Sequence, residues 1–131
     1  MRKTVMILTV GALLLALSAG VALAVTKHGT SGPDTLVGTN APDAIYGYGG
    51  NDEIDGRSGN DELLGGRGAD GIEGGDGSDV VYAGRGADFV DVRGDYSRDY
   101  VYCGPGVDTV NNMPGPGPAD FFAADCEEFV Y

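Results

Sequence analysis

The sequence predicts an all-β chain built from very short strands separated by tight turns. Three observations carry that expectation. From Gly29 onward the chain divides into blocks of nine residues, the sixth residue of each block is Asp, and the eighth is aliphatic. The chain holds 24 Gly among its 131 residues, and glycine loses more conformational freedom on ordering than any other residue. A flexible spacer is therefore the first alternative, but a spacer has no reason to keep two positions fixed through so many blocks.

The blocks read GTSGPDTLV, GTNAPDAIY, GYGGNDEID, GRSGNDELL, GGRGADGIE, GGDGSDVVY and AGRGADFVD; after Val92 and Arg93 the register resumes with GDYSRDYVY from Gly94 and CGPGVDTVN from Cys103. The recurring acids are Asp34, Asp43, Asp52, Asp61, Asp70, Asp79, Asp88, Asp99 and Asp108. The recurring aliphatics are Leu36, Ile45, Ile54, Leu63, Ile72, Val81, Val90, Val101 and Val110. The first six positions of a block must turn the chain, which glycine's access to left-handed dihedrals permits. The last three have room only for a brief strand whose middle side chain points inward and whose neighbours point out. Self-similarity at a short fixed period is the mark of a stacked repeat architecture.

These blocks resemble the GGxGxDxUx calcium-binding nonapeptide of the RTX (haemolysin-type) repeat family, over about Gly29 to Asn111. DCEEFVY at the C-terminus, taken with CGPGVDTV, resembles more loosely the ending of small exported actinobacterial proteins with such repeats. The family resemblance implies a parallel β-roll (a β-solenoid) of about nine nonapeptide half-turns, in which blocks n and n+2 stack on one edge. Stacked carboxylates would then lie about 4.8 Å apart. Like charges at that spacing repel by roughly 0.8 kcal/mol per pair in water and more in a protein interior. The inward column of aliphatics is thin, so the roll needs a counter-ion.

A hard divalent cation meets that need. Ca²⁺ accepts six to eight oxygens, backbone carbonyls included, in flexible geometry, whereas Mg²⁺ demands a smaller near-octahedral shell. His28 stands alone and no Cys/His cluster offers a zinc site. By the resemblance, each Ca²⁺ sits between an Asp of one loop and the Asp 18 residues on, with carbonyls of both Gly-rich loops completing the shell. The implied metal-binding residues are Asp34, Asp43, Gly47, Gly49, Gly50, Asp52, Gly56, Ser58, Gly59, Asp61, Gly65, Arg67, Gly68, Asp70, Gly74, Asp76, Gly77, Asp79 and Asp88. GYGGND, GRSGND, GGRGAD and GGDGSD fit the pattern best. The first two blocks carry Pro33 and Pro42 and read as an N-terminal cap, although their Asp residues stay candidates. GDYSRD lacks the inner glycines and follows the Val92-Arg93 insertion, which leaves Asp99 and Asp108 weak candidates. About four or five ions are expected.

The ninth position sorts by block. Odd blocks place Val37, Asp55, Glu73, Asp91 and Asn111 there, and even blocks place Tyr46, Leu64, Tyr82 and Tyr102. One sheet is thus expected to be wet and the other to carry an aromatic ladder. Phe121, Phe122, Phe129 and Tyr131, beyond the PGPGP turn at Pro114 to Pro118, are expected to cover that ladder.

Residues 1–24 read as a secretory signal peptide: Arg2 and Lys3, the apolar run VMILTVGALLLAL, then Ala22-Leu23-Ala24. An uncleaved anchor is the alternative, because the apolar stretch is just long enough to span a bilayer. Residues 25–28 form a short lead, 29–111 the repeats and 112–131 a C-terminal cap. Without the leader, six basic residues face 20 acidic ones, a net charge of −14. Such a chain repels nucleic acid and anionic membranes and attracts cations. In an oxidising compartment Cys103 and Cys126 are expected to form one disulfide, with two free thiols as the alternative. That disulfide would pin the cap over the open end of the stack.

No nucleophile–base pair is recognisable, so no enzyme activity is expected. Arg93-Gly94-Asp95 matches a cell-adhesion tripeptide, but a chain this rich in Gly and Asp forms one easily. The expected function is that of a secreted, extracellular protein whose folding is coupled to Ca²⁺. The rival is a calcium-dependent adhesion module that meets a surface or carbohydrate through the tyrosine ladder.

Overall fold

The computed structural model describes residues 22–93, 95–112 and 117–130. Residues 1–21 of the expected signal peptide, Gly94 of the adhesion-like tripeptide, Pro114 to Pro116 of the PGPGP turn and Tyr131 lie outside the described residues. Every regular element among the described residues is a strand.

The strands build two parallel sheets of six. The first sheet orders β1 (Thr26–His28), β3 (Ala44–Gly49), β5 (Glu62–Arg67), β7 (Val80–Arg85), β9 (Tyr100–Tyr102) and β11 (Phe121–Phe122). The second orders β2 (Thr35–Val37), β4 (Glu53–Asp55), β6 (Gly71–Glu73), β8 (Phe89–Asp91), β10 (Thr109–Asn111) and β12 (Glu128–Val130). The chain alternates between the sheets, so each pair of blocks makes one coil of a parallel β-roll.

Register follows the repeat. Ile45 pairs with Leu63, Leu63 with Val81 and Val81 with Val101 in the first sheet. Leu36, Ile54, Ile72, Val90 and Val110 align in the second. From Ile45 onward these eighth-position residues are buried and form one core running the length of the roll. The ninth positions separate by sheet as their residue types predict, with Tyr46, Leu64, Tyr82 and Tyr102 along the outside of the first.

The roll is longer than nine half-turns: it has twelve strands, hence six coils. The extra strands come from segments outside the repeat. Thr26–His28 adds β1 before the first block, and it places Lys27 level with Ile45, in line with the core column. The tail adds β11 against β9 and β12 against β10. Among the described residues the tail extends both sheets rather than lying over the tyrosine ladder, and Phe121 joins the ladder's end, 5.9 Å from Tyr102 between ring centroids. Phe122 and Phe129 meet edge to face, 5.1 Å between ring centroids, and pack against the end of the core. The Cys103–Cys126 disulfide, with Cα atoms 5.1 Å apart, ties this cap to the last block.

The interruption after block seven is absorbed without breaking the stack. Val92 itself takes the first-position place of the next loop, in line with Gly56 and Gly74. Gly74 donates to the Asp91 carbonyl and Val92 donates in the same way to Asn111. Val92 is buried in the core, so the two additional residues lie inside the following loop rather than ahead of it. Pairing continues with Phe89 opposite Thr109 and Val81 opposite Val101.

Candidate metal centres

The loops between strands form two rims. Asp34, Asp52, Asp70, Asp88 and Asp108 follow one another on the first, and Asp43, Asp61, Asp79 and Asp99 on the second. Each rim is a hydrogen-bond ladder in which the backbone N–H of one Asp donates to Oδ1 of the Asp one coil further on. The links from Asp34 to Asp52, Asp52 to Asp70, Asp70 to Asp88 and Asp88 to Asp108 are each 2.9 Å. On the other rim, Asp43 to Asp61 is 2.8 Å, and Asp61 to Asp79 and Asp79 to Asp99 are 2.9 Å. Asp99 donates in turn to Asp120 at 3.0 Å, so a tail residue outside the repeat completes the second rim.

The second carboxylate oxygen behaves differently. Oδ2 of Asp52, Asp61, Asp70, Asp79, Asp88, Asp99 and Asp108 is buried and has no hydrogen-bond partner. An unpartnered buried carboxylate oxygen is costly, because it has given up water for nothing. Asp34 and Asp43 escape that cost. Thr30 donates to Asp34 Oδ2 through its backbone N–H at 2.6 Å and its hydroxyl at 2.9 Å. Thr39 closes on Asp43 Oδ2 in the same way.

Backbone dihedrals follow the split in every block but the eighth. In blocks three to seven and nine the second residue has positive φ: Tyr48, Arg57, Gly66, Gly75, Gly84 and Gly104. So does the fourth residue, for example Gly50 at 98° and Gly77 at 121°. In the first two blocks neither Thr30 nor Thr39 adopts this turn. Block eight departs as well, since Tyr96 and Ser97 are not in that region. There the Asp95 carboxylate mends the stack. Gly59 N–H donates to the Asp76 carbonyl and Gly68 N–H to Arg85, but Gly77 N–H donates to Asp95 Oδ2, at 2.6 Å.

First-position glycines make room for the orphan oxygens. A Cβ added at Gly56 would stand 2.7 Å from Asp61 Oδ2, and one at Gly74 would stand 2.8 Å from Asp79 Oδ2. Such contacts force something to move. Gly47 and Gly65 lie against Asp52 and Asp70 in the same manner. Of the remaining residues expected at the metal sites, Gly49 and Arg67 end β3 and β5, while Ser58, Gly59, Gly68 and Asp76 lie in these loops, and Ser58 bridges to Asp76 across a coil.

Burial raises the pKa of several of these carboxyls by disfavouring the charged form, and neighbouring acids add to it. Asp79 is pushed up to about 8, with Asp99, Asp61 and Asp95 the charges around it. Asp99 rises to about 7, and Asp61 and Asp88 to about 6. Asp70, Asp108 and Asp120 rise too, each chiefly through desolvation.

A family model of the RTX calcium-binding nonapeptide repeat, four copies long, matches residues 28–63 and again 55–90. Residues 28–90 therefore carry RTX calcium-binding nonapeptide repeats. No curated protein and no solved structure matches it. RTX repeats bind Ca²⁺, and these rims fit that ion. Among the described residues no three His, Cys, Asp or Glu side chains converge to hold a metal by themselves. Carboxylates with backbone carbonyls beside them suit a hard cation of high coordination number. In this RTX chain the repeat itself pointed to the acids. What it did not reveal was the threonine clamp on Asp34 and Asp43, or the parts played by Asp95 and Asp120. GT in place of GG, GY or GR at the head of a block was the available signal.

Proposed function

We propose that this RTX chain is an exported module whose folding is driven by Ca²⁺ outside the cell. The observation that supports it most directly is the row of buried, unpartnered Oδ2 atoms on both rims. Each is a ligand atom held ready where the protein supplies no proton donor. Four ions follow if a site needs the positive-φ loop on both sides: blocks three with five, five with seven and seven with nine on the first rim, and four with six on the second. The ligands assigned are the Asp carboxylates of those loops together with their glycine-region carbonyls. Because ions bind the folded form, stability grows with their concentration, by about 2.7 kcal/mol per site at a hundredfold excess over Kd.

Residues 1–24 would direct export and be removed, so that folding begins on meeting external calcium. The disulfide supports this compartment, since disulfides persist where the surroundings are oxidising. Nothing in the rims resembles a reacting pair, and we assign no catalysis. The test is calorimetric titration of residues 25–131 with Ca²⁺ and Mg²⁺, alongside circular dichroism. Heat on Ca²⁺ addition with a gain of β signal is expected. An unchanged spectrum in chelator and no heat on adding the ion would defeat the proposal. A second reading, a surface-binding module, is favoured by one observation: the outer tyrosines of the first sheet stay exposed.

A further inference from the structure

The outer face of the first sheet carries a groove whose side chains belong to neither aspartate ladder. Tyr82 and Tyr102 stack with ring centroids 4.9 Å apart and planes 11° from parallel, and are 42% and 36% exposed. Beside them a groove of about 340 Å³ runs along the roll, lined by Tyr48, Arg67, Arg85 and, at its far end, Asp125. Gly66 and Gly84 form its floor. They stand in strand register with Tyr48, so the groove exists because two coils lack the side chain the third one has.

Two features mark this groove as built for a ligand. Tyr48 holds φ at 73°, at a position where four other blocks use glycine. A bulky residue in that region is strained. Its ring stacks on His28 and its hydroxyl meets His28 Nδ1 at 2.7 Å, which fixes it at the mouth. The second feature is charge. Arg67 and Arg85 lie level with each other on adjacent coils. Neither forms an ion pair among the described residues, in a chain with 20 acids. Asp125 is already engaged by the Gly104 N–H at 2.9 Å, leaving the Arg67 end as the anion-accepting part.

We propose that this groove binds a carboxylate-bearing oligosaccharide, a short run of uronate units lying along the roll axis. A guanidinium matches a planar carboxylate through two parallel hydrogen bonds. Tyrosine offers a flat amphipathic surface for a sugar face together with a hydroxyl for its polar rim. An acidic peptide suits the place less well, because peptides dock on strands through a free sheet edge and this is a sheet face. The proposal rests on the calcium reading in one respect: ions on the rims offset the acidic charge that would otherwise repel a uronate.

The experiment titrates the calcium-loaded chain with an oligouronate tetramer, a sulfated tetramer, a neutral glucan tetramer and an acidic peptide. Tyrosine fluorescence serves as the readout, and circular dichroism monitors the fold. Saturable quenching by the oligouronate is expected, weakened at least tenfold in Arg85→Gln and in Tyr82→Ala, with unchanged circular dichroism. Tighter binding of the peptide or the sulfated sugar, equal binding of the neutral glucan, or no binding by folded protein would each overturn it. If calcium fails to change the circular dichroism, that result strikes the folding proposal alone. The same titration on the chelated chain then decides for or against the groove.

Discussion

Asp43 and Asp61 are successive rungs of one rim, equally buried and joined to each other by a hydrogen bond. Yet Asp43 has its second oxygen closed off by Thr39, whereas Asp61 leaves the same oxygen without a donor. One residue type at one repeat position has two solutions. In the first two blocks a threonine at the second place satisfies the carboxylate from within the protein. In the inner blocks the second residue flips to positive φ, no N–H reaches the oxygen, and satisfaction must come from outside. The repeat thus contains loops complete in themselves and loops that need an ion, and in every block but the eighth the dihedral of the second residue separates them.

The broadest way to break this contrast is to remove calcium. Chelation is expected to abolish most of the β signal of the inner coils, and circular dichroism with and without chelator checks it. Hydrogen exchange sharpens it further, since amides near Asp61, Asp79 and Asp88 should lose protection before those near Asp43. Next comes pH in the presence of chelator. Asp61, Asp88, Asp99 and Asp79 have folded pKa values above the usual 3.8, from about 6 for Asp61 and Asp88 to about 8 for Asp79. The folded form therefore binds more protons than the unfolded one. The stability they contribute is complete below about pH 4 and disappears as pH rises through 6 to 8. The metal-free roll should accordingly be firmest in mild acid, read by denaturant midpoint across pH 4 to 8, while calcium affinity should rise over the same range.

Single substitutions come after that. Asp79→Ala should remove one ion from the calorimetric count and about 2.7 kcal/mol of stability at a hundredfold excess of Ca²⁺. Gly75→Ala should mimic it without touching a carboxylate, because the added Cβ collides with the Arg57 carbonyl of the stacked loop. Thr39→Ala is the smallest and the most diagnostic. It should cost about 1 kcal/mol for the lost hydroxyl bonds, and the cost should be the same with and without calcium.

Much of this architecture was legible in the residues. A period of nine with an inward aliphatic fixes strand positions, and the alternation of Asp55, Glu73 and Asp91 with Tyr46, Leu64 and Tyr82 separates the sheets. The ends were harder to read. Thr26–His28 and Phe121–Phe122 are too short to carry a strand signal of their own and are ordered by the neighbour they pair with. Val92 was misplaced for a related reason: a valine where glycine was expected looks like an insertion until its N–H is seen donating to Asn111. The acids were identified by pattern, but which of them lack a partner depends on loop dihedrals, and a single side chain such as Thr39 can reverse the outcome.

Lys27 gives the molecule a length. A stack of identical layers would welcome another copy on its open end, and repeated addition would give a fibre. An ammonium group in line with the core aliphatics resists that growth, because sealing it beneath a second molecule would strip its water without offering a counter-charge. The same group costs little while it keeps its water, so its charge disfavours end-to-end stacking of copies while every coil within a roll keeps its template.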